Sequence, residues 1–465
     1  MQHPEVTDDK KLKFGVFAIY LILLIVSWQN QQGEDIAVAR ESFLHGNKND
    51  FLGATGAVFY GLIPDQPIHW WHILLLVQLS FTFLGLILTL TNALTLTSQK
   101  QKIAFFSFSY FVLVFSSAAS RDGTIISFLI LGLGLLAKSQ FESSRIKSIV
   151  LQYFGFIILI IGFALRPWLG LVIAPIYFWI LVKRNSIKKF NKLLILLATI
   201  FLVLGPLLTD QAIKKIYHLN SNYPQQIVMI HDLTATYCWS ANENTALLAE
   251  KGLRLIATNK NSLIEICQFF RPNTWQGVQG ITENNPTTKG LSVPIKAMGL
   301  NDSVTYKDFQ KIWISTILAD PFTYFQNHFM FATQVLFSGD SRNLRIIHSI
   351  NDFLITQNLN GIYNILAGGF LLPMDIFTSL HLFSPIITIL AIYNFHKRKK
   401  VSYAQKSYVF PLFYATMILW ILMTIIGFAS DNGRYTLGGT VMVYMAMFLH
   451  NSGRNSFDFR TTAEK

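Results

Sequence analysis

The stretch SSAASRDGTIISFLILGLGLL, from Ser116 to Leu136, joins a charged pair to a long apolar run. Arg121 and Asp122 are the only charged residues between Lys102 and Lys138. A charge at the centre of a bilayer is costly, so a charged pair at the start of an apolar run indicates the membrane surface. The stretch therefore predicts a membrane helix that opens on Arg121-Asp122.

The composition of the whole chain agrees with a membrane protein. Of its 465 residues, 52% are hydrophobic and only 14% are charged, whereas about 25% are charged in an ordinary soluble domain. The net charge of +13 comes from short Lys and Arg blocks between apolar runs, without the basic stripe of a nucleic-acid-binding surface. The sequence predicts an all-α polytopic membrane protein with no nucleic-acid partner.

Further apolar runs predict about ten to twelve transmembrane helices. The number depends on whether 361–395 is one long or kinked span, or whether 323–337 and 352–372 add two more. The predicted spans are Lys13–Trp28, Trp70–Leu96, Ile103–Ala119, Thr124–Ala137, Ile149–Leu165, Trp168–Val182, Leu193–Leu208, Gly361–Phe395, Tyr408–Ala429 and Thr436–Leu449.

Positive charges predict the orientation, because Lys and Arg in short loops favour the cytoplasm. Basic clusters follow alternate spans and favour a cytoplasmic N-terminus. The chain then divides into an N-terminal module (1–208), an extracytoplasmic insert (209–320) and a C-terminal module (321–465). The first outer loop covers 29–69.

Seven ionisable residues fall on the predicted outer face, most of them within a turn of a membrane boundary. They are Asp35, Arg40, Arg121, Asp122, Arg166, Asp232 and Arg434. Singly, each has a structural alternative: the arginines can be lipid anchors, and Arg121-Asp122 can be a local ion pair. Together they favour a reaction site at the outer interface, since transporters more often place such groups near the midplane.

The first outer loop contains GEDIAVARESFL, which predicts a helix lying on the membrane. Glu34 and Asp35 stand at its start, where negative charge suits the helix dipole. They either cap this helix, or one of them is a general base facing a cavity below the loop.

The insert holds both cysteines of the chain, Cys238 and Cys267. On an oxidising face they can form a disulfide; otherwise they are two buried thiols. The sequence contains no phosphate-binding loop, no HExxH motif and no cysteine set for zinc, and it predicts no metal site.

The chain resembles the GT-C integral-membrane glycosyltransferases, particularly bacterial members of surface-polysaccharide clusters. The resemblance rests on architecture and on loose motifs along most of the chain. These are GEDIAVARESF, RDGTIISFLILGLGLL, LRPWLGLVIAPIYFWIL, IHDLTATY, WISTILADPFTYFQNHFMF and NGRY.

The resemblance implies a GT-C-like bundle that transfers a sugar from a polyprenyl-phosphate or pyrophosphate carrier to a glycan or lipid-linked acceptor. Asp35, or else Glu34, would be the base. Arg121, Arg166, Arg434 and Arg40 would hold the donor phosphate. Asp122 would orient Arg121 or help to hold a divalent cation, and Asp232 would support the site.

Localisation to a bacterial inner membrane, with the site facing the periplasm, follows partly from the resemblance. Two other functions stay open. A polysaccharide polymerase or ligase would use the same face and similar arginines. A flippase or transporter of lipid-linked glycans would need charged residues along a path through the membrane.

Overall fold

The computed structural model is helical in the residues that it describes. The described residues are 5–28, 34–45, 53–92, 98–117, 119–142, 144–165, 189–219, 226–256 and 303–337, with the single positions 96, 263, 266, 267 and 270. They contain no β-strand. The predicted spans from Trp168 to Val182 and beyond Gly361 lie outside them.

Twelve helices lie in this part of the chain. The first seven are α1 (Glu5–Ser27), α2 (Glu34–Leu44), α3 (Ala54–Gly61), α4 (Trp70–Asn92), α5 (Gln99–Ser116), α6 (Arg121–Phe141) and α7 (Arg145–Ala164). The remaining five are α8 (Lys189–Ile216), α9 (Gln226–Trp239), α10 (Glu243–Arg254), α11 (Ser303–Ala319) and α12 (Pro321–Phe337).

Three of these helices are long and apolar enough to cross a membrane. They are the stretches Trp70–Thr91, Arg121–Ser139 and Ile146–Ala164. A span needs about 20 apolar residues, so length and composition suffice to recognise these three. They support a helical membrane protein and agree with the predicted spans in α4, α6 and α7.

Helix α6 lies at the centre of the bundle and packs against both α4 and α7. Helices α4 and α6 run parallel, whereas α1 runs antiparallel to α4 and α7 runs antiparallel to α6. Tyr20 of α1 contacts Ser80 of α4 (3.3 Å between hydroxyls), and the Ser148 hydroxyl donates to the carbonyl of Ser139 across the α6–α7 turn (2.6 Å). The core contains Phe105, Phe108 and Phe111 of α5.

Two glycines allow α4 and α6 to touch backbone to backbone. A Cβ atom on Gly134 would lie 2.5 Å from the carbonyl oxygen of Gly85, and one on Gly85 would collide with the backbone of Ile130. Small residues at such crossings are common in membrane proteins because they let helix backbones approach closely.

We expect Gly134→Ala to destabilise the bundle by about 1 to 3 kcal/mol, because the added methyl group must separate two packed backbones. Thermal unfolding of the purified protein in detergent measures this. Gly205→Ala is the control, since its Cβ would lie an ordinary 3.4 Å from the Phe201 ring. Equal melting temperatures for the two variants would contradict the close crossing.

The first loop folds back onto the end of α8. The Asp210 carboxylate accepts hydrogen bonds from the backbone N–H of Thr55 (2.8 Å) and from its hydroxyl (3.0 Å). Asp210 thereby caps α3, a role that a residue next to the helix in sequence usually fills. Gly53 immediately precedes α3 and has a positive φ of 84°. Helix α8 runs past Leu208, so the predicted module boundary at 208/209 falls inside a helix.

Helices α9, α10, α11 and α12 form a second packing unit. Its core includes Ile230, Leu233, Leu253 and Phe309. Helix α12, predicted to begin the C-terminal module, packs against α9 of the insert.

A disulfide joins Cys238 at the end of α9 to Cys267, with 5.3 Å between their Cα atoms. The structure therefore has the disulfide and not the alternative of two buried thiols. The bond links positions 29 residues apart. It lowers the conformational entropy of the unfolded chain and thereby stabilises the folded state by about 3 to 4 kcal/mol.

We expect a reducing agent to lower the melting temperature of the insert, because that stabilisation is lost with the bond. Thermal unfolding with and without dithiothreitol measures the shift. The double variant Cys238→Ser/Cys267→Ser should melt at the reduced temperature in both conditions. A melting temperature of the wild-type protein that does not respond to reduction would contradict this prediction.

Candidate functional site

The helix of the first loop packs beside the start of α6. Ile36 and Ala39 of α2 share a buried apolar cluster with Trp70 and Leu74 of α4 and with Ala119, which precedes α6. The predicted loop helix is thus confirmed as a helix, beginning at Glu34. The side chains of Glu34 and Asp35 lie outside the described residues, so their role as base stays a prediction.

Hydrogen bonds hold the start of α6 in place. The Ser120 hydroxyl caps the helix by accepting from the N–H of Gly123 (3.0 Å). Gln78 of α4 donates to the Ser120 carbonyl (2.8 Å) and to the Thr124 hydroxyl (2.6 Å), and the Tyr60 hydroxyl of α3 also donates to Thr124 (3.3 Å). Three helices therefore fix the position of Arg121-Asp122.

Arg121 and Asp122 are partly exposed in the first turn of α6. The N-terminus of a helix carries free backbone N–H groups and a partial positive charge. A guanidinium at that position adds a full charge and a flat pair of donors that match phosphate oxygens. This end of α6 can therefore bind an anionic group.

Arg40, another predicted phosphate contact, is buried, with 6% of its side chain exposed. Its guanidinium donates to the carbonyl of Ile63 (3.4 Å), lies 4.0 Å from the Asp65 carboxylate and stacks over the Trp70 ring at 5.0 Å. Its Nε–H has no hydrogen-bond partner in the described chain. Arg40 thus joins α2 to the start of α4 and leaves one donor open.

Asp65 stabilises the start of α4. Its carboxylate accepts a hydrogen bond from the backbone N–H of Trp70 (3.0 Å). This bond, helped by the nearby Arg40 charge and by a hydrogen bond with the His69 side chain, lowers the pKa of Asp65. Asp65 is therefore ionised at neutral pH, which keeps a negative charge beside the Arg40 guanidinium.

A second group of polar residues is buried in the insert, centred on Asp232. One carboxylate oxygen lies 2.7 Å from Nε2 of His328, and the side chains of both residues are 2% exposed. The other oxygen accepts from the Trp313 indole N–H (3.0 Å). Asn327 donates to Asp232 (3.3 Å) and lies 3.2 Å from Nδ1 of His231. We call these five residues the Asp232 cluster.

The Asp232 cluster connects α9, α11 and α12. A buried carboxylate is tolerated only when it is paired and hydrogen-bonded. Here both oxygens are engaged, and the ring of Tyr324 packs against His328 with 4.2 Å between centroids. Nδ1 of His328 and Oδ1 of Asn327 have no hydrogen-bond partner in the part of the chain that the structure describes.

The start of α12 is held to the same unit through Asp320. Its carboxylate caps the helix by accepting from the Thr323 N–H (3.0 Å) and accepts from the Ser240 hydroxyl (2.6 Å). Partial burial raises the pKa of Asp320, but these hydrogen bonds outweigh it, so the pKa lies below its usual value. Asp320 with Pro321 is a favourable helix start, because proline at the first helical position needs no hydrogen-bond partner.

The predicted site residues thus fall into two described groups. Helix α2, Arg40 and Arg121-Asp122 belong to one end of the bundle, whereas Asp232 belongs to the insert. Arg166 and Arg434 lie outside the described residues. In the regions described, no group of three His, Cys, Asp or Glu side chains could hold a metal ion. Asp122 as a cation ligand stays a prediction.

Sequence reasoning missed His328, Asn327 and Trp313 as partners of Asp232. The signal was present, because HD in IHDLTATY and NH in TYFQNHFMF are isolated polar pairs within apolar helices. Such pairs must find partners when they are buried. What the sequence lacked was any indication that these two motifs meet.

Comparison with known proteins identifies no relative. No protein family, no curated protein sequence and no solved structure matches the chain. Functional inference therefore depends on the residues themselves.

Proposed function

We propose that this protein is a membrane glycosyltransferase that moves a sugar from a polyprenyl-phosphate or pyrophosphate carrier to a glycan or lipid-linked acceptor. The observation that supports the proposal most is the packing of α2 beside the start of α6. It brings the helix that begins with Glu34 and Asp35 together with the Arg121-Asp122 pair at one end of an apolar bundle.

The distribution of charge supports an extracytoplasmic site. Helices α1, α5, α7 and α8 run antiparallel to the parallel pair α4 and α6, so the Lys-rich helix ends lie opposite the Arg121 end. These ends carry Lys10 to Lys13, Lys100 and Lys102, Lys138, and Lys189. Positive loops favour the cytoplasm, so Arg121 would face the periplasm. A disulfide in the insert fits the same oxidising side.

The chemistry we propose is displacement at the anomeric carbon of the donor sugar. The Asp35 carboxylate, or that of Glu34, takes the proton of an acceptor hydroxyl while its oxygen forms the new bond to that carbon. The bond from the anomeric carbon to the carrier phosphate breaks, and the phosphate leaves with the electron pair. Arg121, with Arg40, Arg166 and Arg434, stabilises the charge that develops on it. No step is assigned to a cation.

Mass spectrometry of cells lacking the gene tests the function. We expect a surface glycan short by one sugar, together with accumulated lipid-linked donor. Wild type should restore it, and so should Glu142→Gln, a control carboxylate at the opposite end of α6. Asp35→Asn should not restore it. If Asp35→Asn and Glu34→Gln both restore a normal glycan, the assignment of the base is wrong.

The same experiment separates the alternative functions. Complete but unpolymerised repeat units would indicate a polymerase or ligase, whose products lengthen in a ladder. Accumulation of donor on the cytoplasmic face would indicate a flippase. A normal glycan in cells that lack the gene would overturn glycosyl transfer altogether.

A further inference from the structure

A row of exposed apolar side chains runs along α11 and α12. Its members recur every three or four residues, which places those of each helix on one face of that helix. They are Ile314, Leu318, Phe322, Phe325 and Phe329, with Leu318 77% and Phe322 76% exposed. We call this row the apolar ridge.

The apolar ridge continues across the junction of the two helices. The N–H of Asp320 donates to the carbonyl of Thr316 (3.0 Å), and that of Tyr324 donates to the carbonyl of Asp320 (3.4 Å). The first bond closes α11 and the second opens α12, so the two helices meet at Asp320 and Pro321 and each carries part of the ridge.

The Asp232 cluster fixes which face of α12 points outward. Asn327 and His328 are buried against α9 through Asp232. Phe325 and Phe329 occupy the opposite side of the helix and remain 49% and 58% exposed. Rotating these phenylalanines inward would remove the buried hydrogen bonds of Asp232. Their exposure is therefore set by the packing of the insert.

An apolar face of the same kind occurs on α7, one of the three helices that can cross a membrane. There Tyr153, Phe154 and Ile157 are 67%, 52% and 50% exposed. A soluble surface rarely exposes so many large apolar side chains in one row. The likeness in residue type and exposure indicates the same surroundings for both faces.

Two lysines extend the apolar ridge at one end. Lys307 and Lys311 precede Ile314 at the same helical spacing and are exposed. Lys311 lies 3.6 Å from Asp308, an exposed pair that contributes little. Lysine stems lie along apolar surface while the ammonium groups reach lipid phosphates. A protein-binding surface would more often have a polar rim around its apolar centre.

We propose that the apolar ridge lies in the hydrocarbon of the lipid bilayer, with Lys307 and Lys311 at the headgroup phosphates. The insert is then seated on the membrane through α11 and α12. This contact does not depend on the reaction that the protein catalyses. It makes the insert a membrane-bound unit, with the Asp232 cluster directly behind the lipid-facing side.

Single-cysteine variants of the full chain in liposomes test the proposal. Leu318→Cys, Phe322→Cys and Phe325→Cys should react with a charged, water-soluble maleimide at least about tenfold more slowly than Asn244→Cys, because a thiol in apolar surroundings keeps its proton. Asn244 is exposed in α10. The native cysteines are joined to each other and do not react. In SDS, which removes the protection by lipid and packing, all four cysteine variants should react equally, and this control confirms that their thiols are intact.

A photocrosslinking amino acid at position 325 then identifies what covers the apolar ridge. A lipid adduct together with slow labelling supports the proposal. Fast labelling of the ridge cysteines in liposomes would overturn it. A protein adduct would also overturn it, since the ridge would then bind a partner chain or a second copy.

Discussion

Replacing Asp232 with alanine is expected to destabilise the insert by about 3 kcal/mol or more, because each buried polar group left without its partner costs about 1 to 3 kcal/mol. The variant leaves the Trp313 N–H, His328 Nε2 and the Asn327 amide without the acceptor they now share. His328 and Asn327 stay buried, so water cannot replace their lost bonds without opening the packing of α9 and α12.

Hydrogen exchange read by mass spectrometry measures this effect. Peptides covering 226–239 and 303–319 should lose protection in Asp232→Ala, whereas peptides from α6 should keep it. Asp308→Ala is the matched control on α11, because Asp308 is exposed and its pair with Lys311 is worth less than about 1 kcal/mol.

Asp232→Asn sharpens the prediction. It conserves size but replaces one acceptor oxygen by an amide donor, which must then face a donor of Trp313, His328 or Asn327. We expect it to be destabilising as well, since an unsatisfied buried polar group costs about 1 to 3 kcal/mol. Wild-type protection in both variants would show that the Asp232 cluster does not hold the insert together.

Replacing Arg121 with glutamine is expected to lower the rate of the proposed sugar transfer by about 100- to 1000-fold, the usual effect of removing one positioned donor from a developing negative charge. Glutamine keeps a hydrogen-bonding side chain at the start of α6 but loses the charge and the bidentate geometry. The Ser120 cap and the Gln78 contacts do not involve the Arg121 side chain, so the helix should keep its position.

The assay follows transfer from a purified polyprenyl-linked sugar in proteoliposomes. Lys138→Gln is the matched control, because Lys138 lies in the last turn of the same helix. It should keep wild-type activity. A similar loss in both variants would indicate a general effect of charge on α6, and full activity of Arg121→Gln would remove Arg121 from the phosphate site.

Several local features of this protein were predictable from the sequence. The apolar runs of α4, α6 and α7 are recognisable because crossing a membrane depends only on length and composition. The helix from Glu34 and the helix start after Ser120 are likewise local, since caps and dipoles act within one turn. The sequence left open whether Cys238 and Cys267 form a disulfide or remain two thiols, because the presence of two cysteines does not determine whether they come into contact.

The tertiary structure alone decided which distant groups share a site. Asp232 and His328 are 96 residues apart, and no periodicity within either motif encodes their contact. Local sequence likewise does not encode the contact of Gly85 with Gly134 or the outward orientation of Phe325. Hydropathy and capping are properties of a short segment and its solvent, whereas partner choice depends on how whole helices pack. The sequence therefore determined the helices and their membrane character, and packing determined the buried cluster, the helix crossing and the lipid-facing ridge.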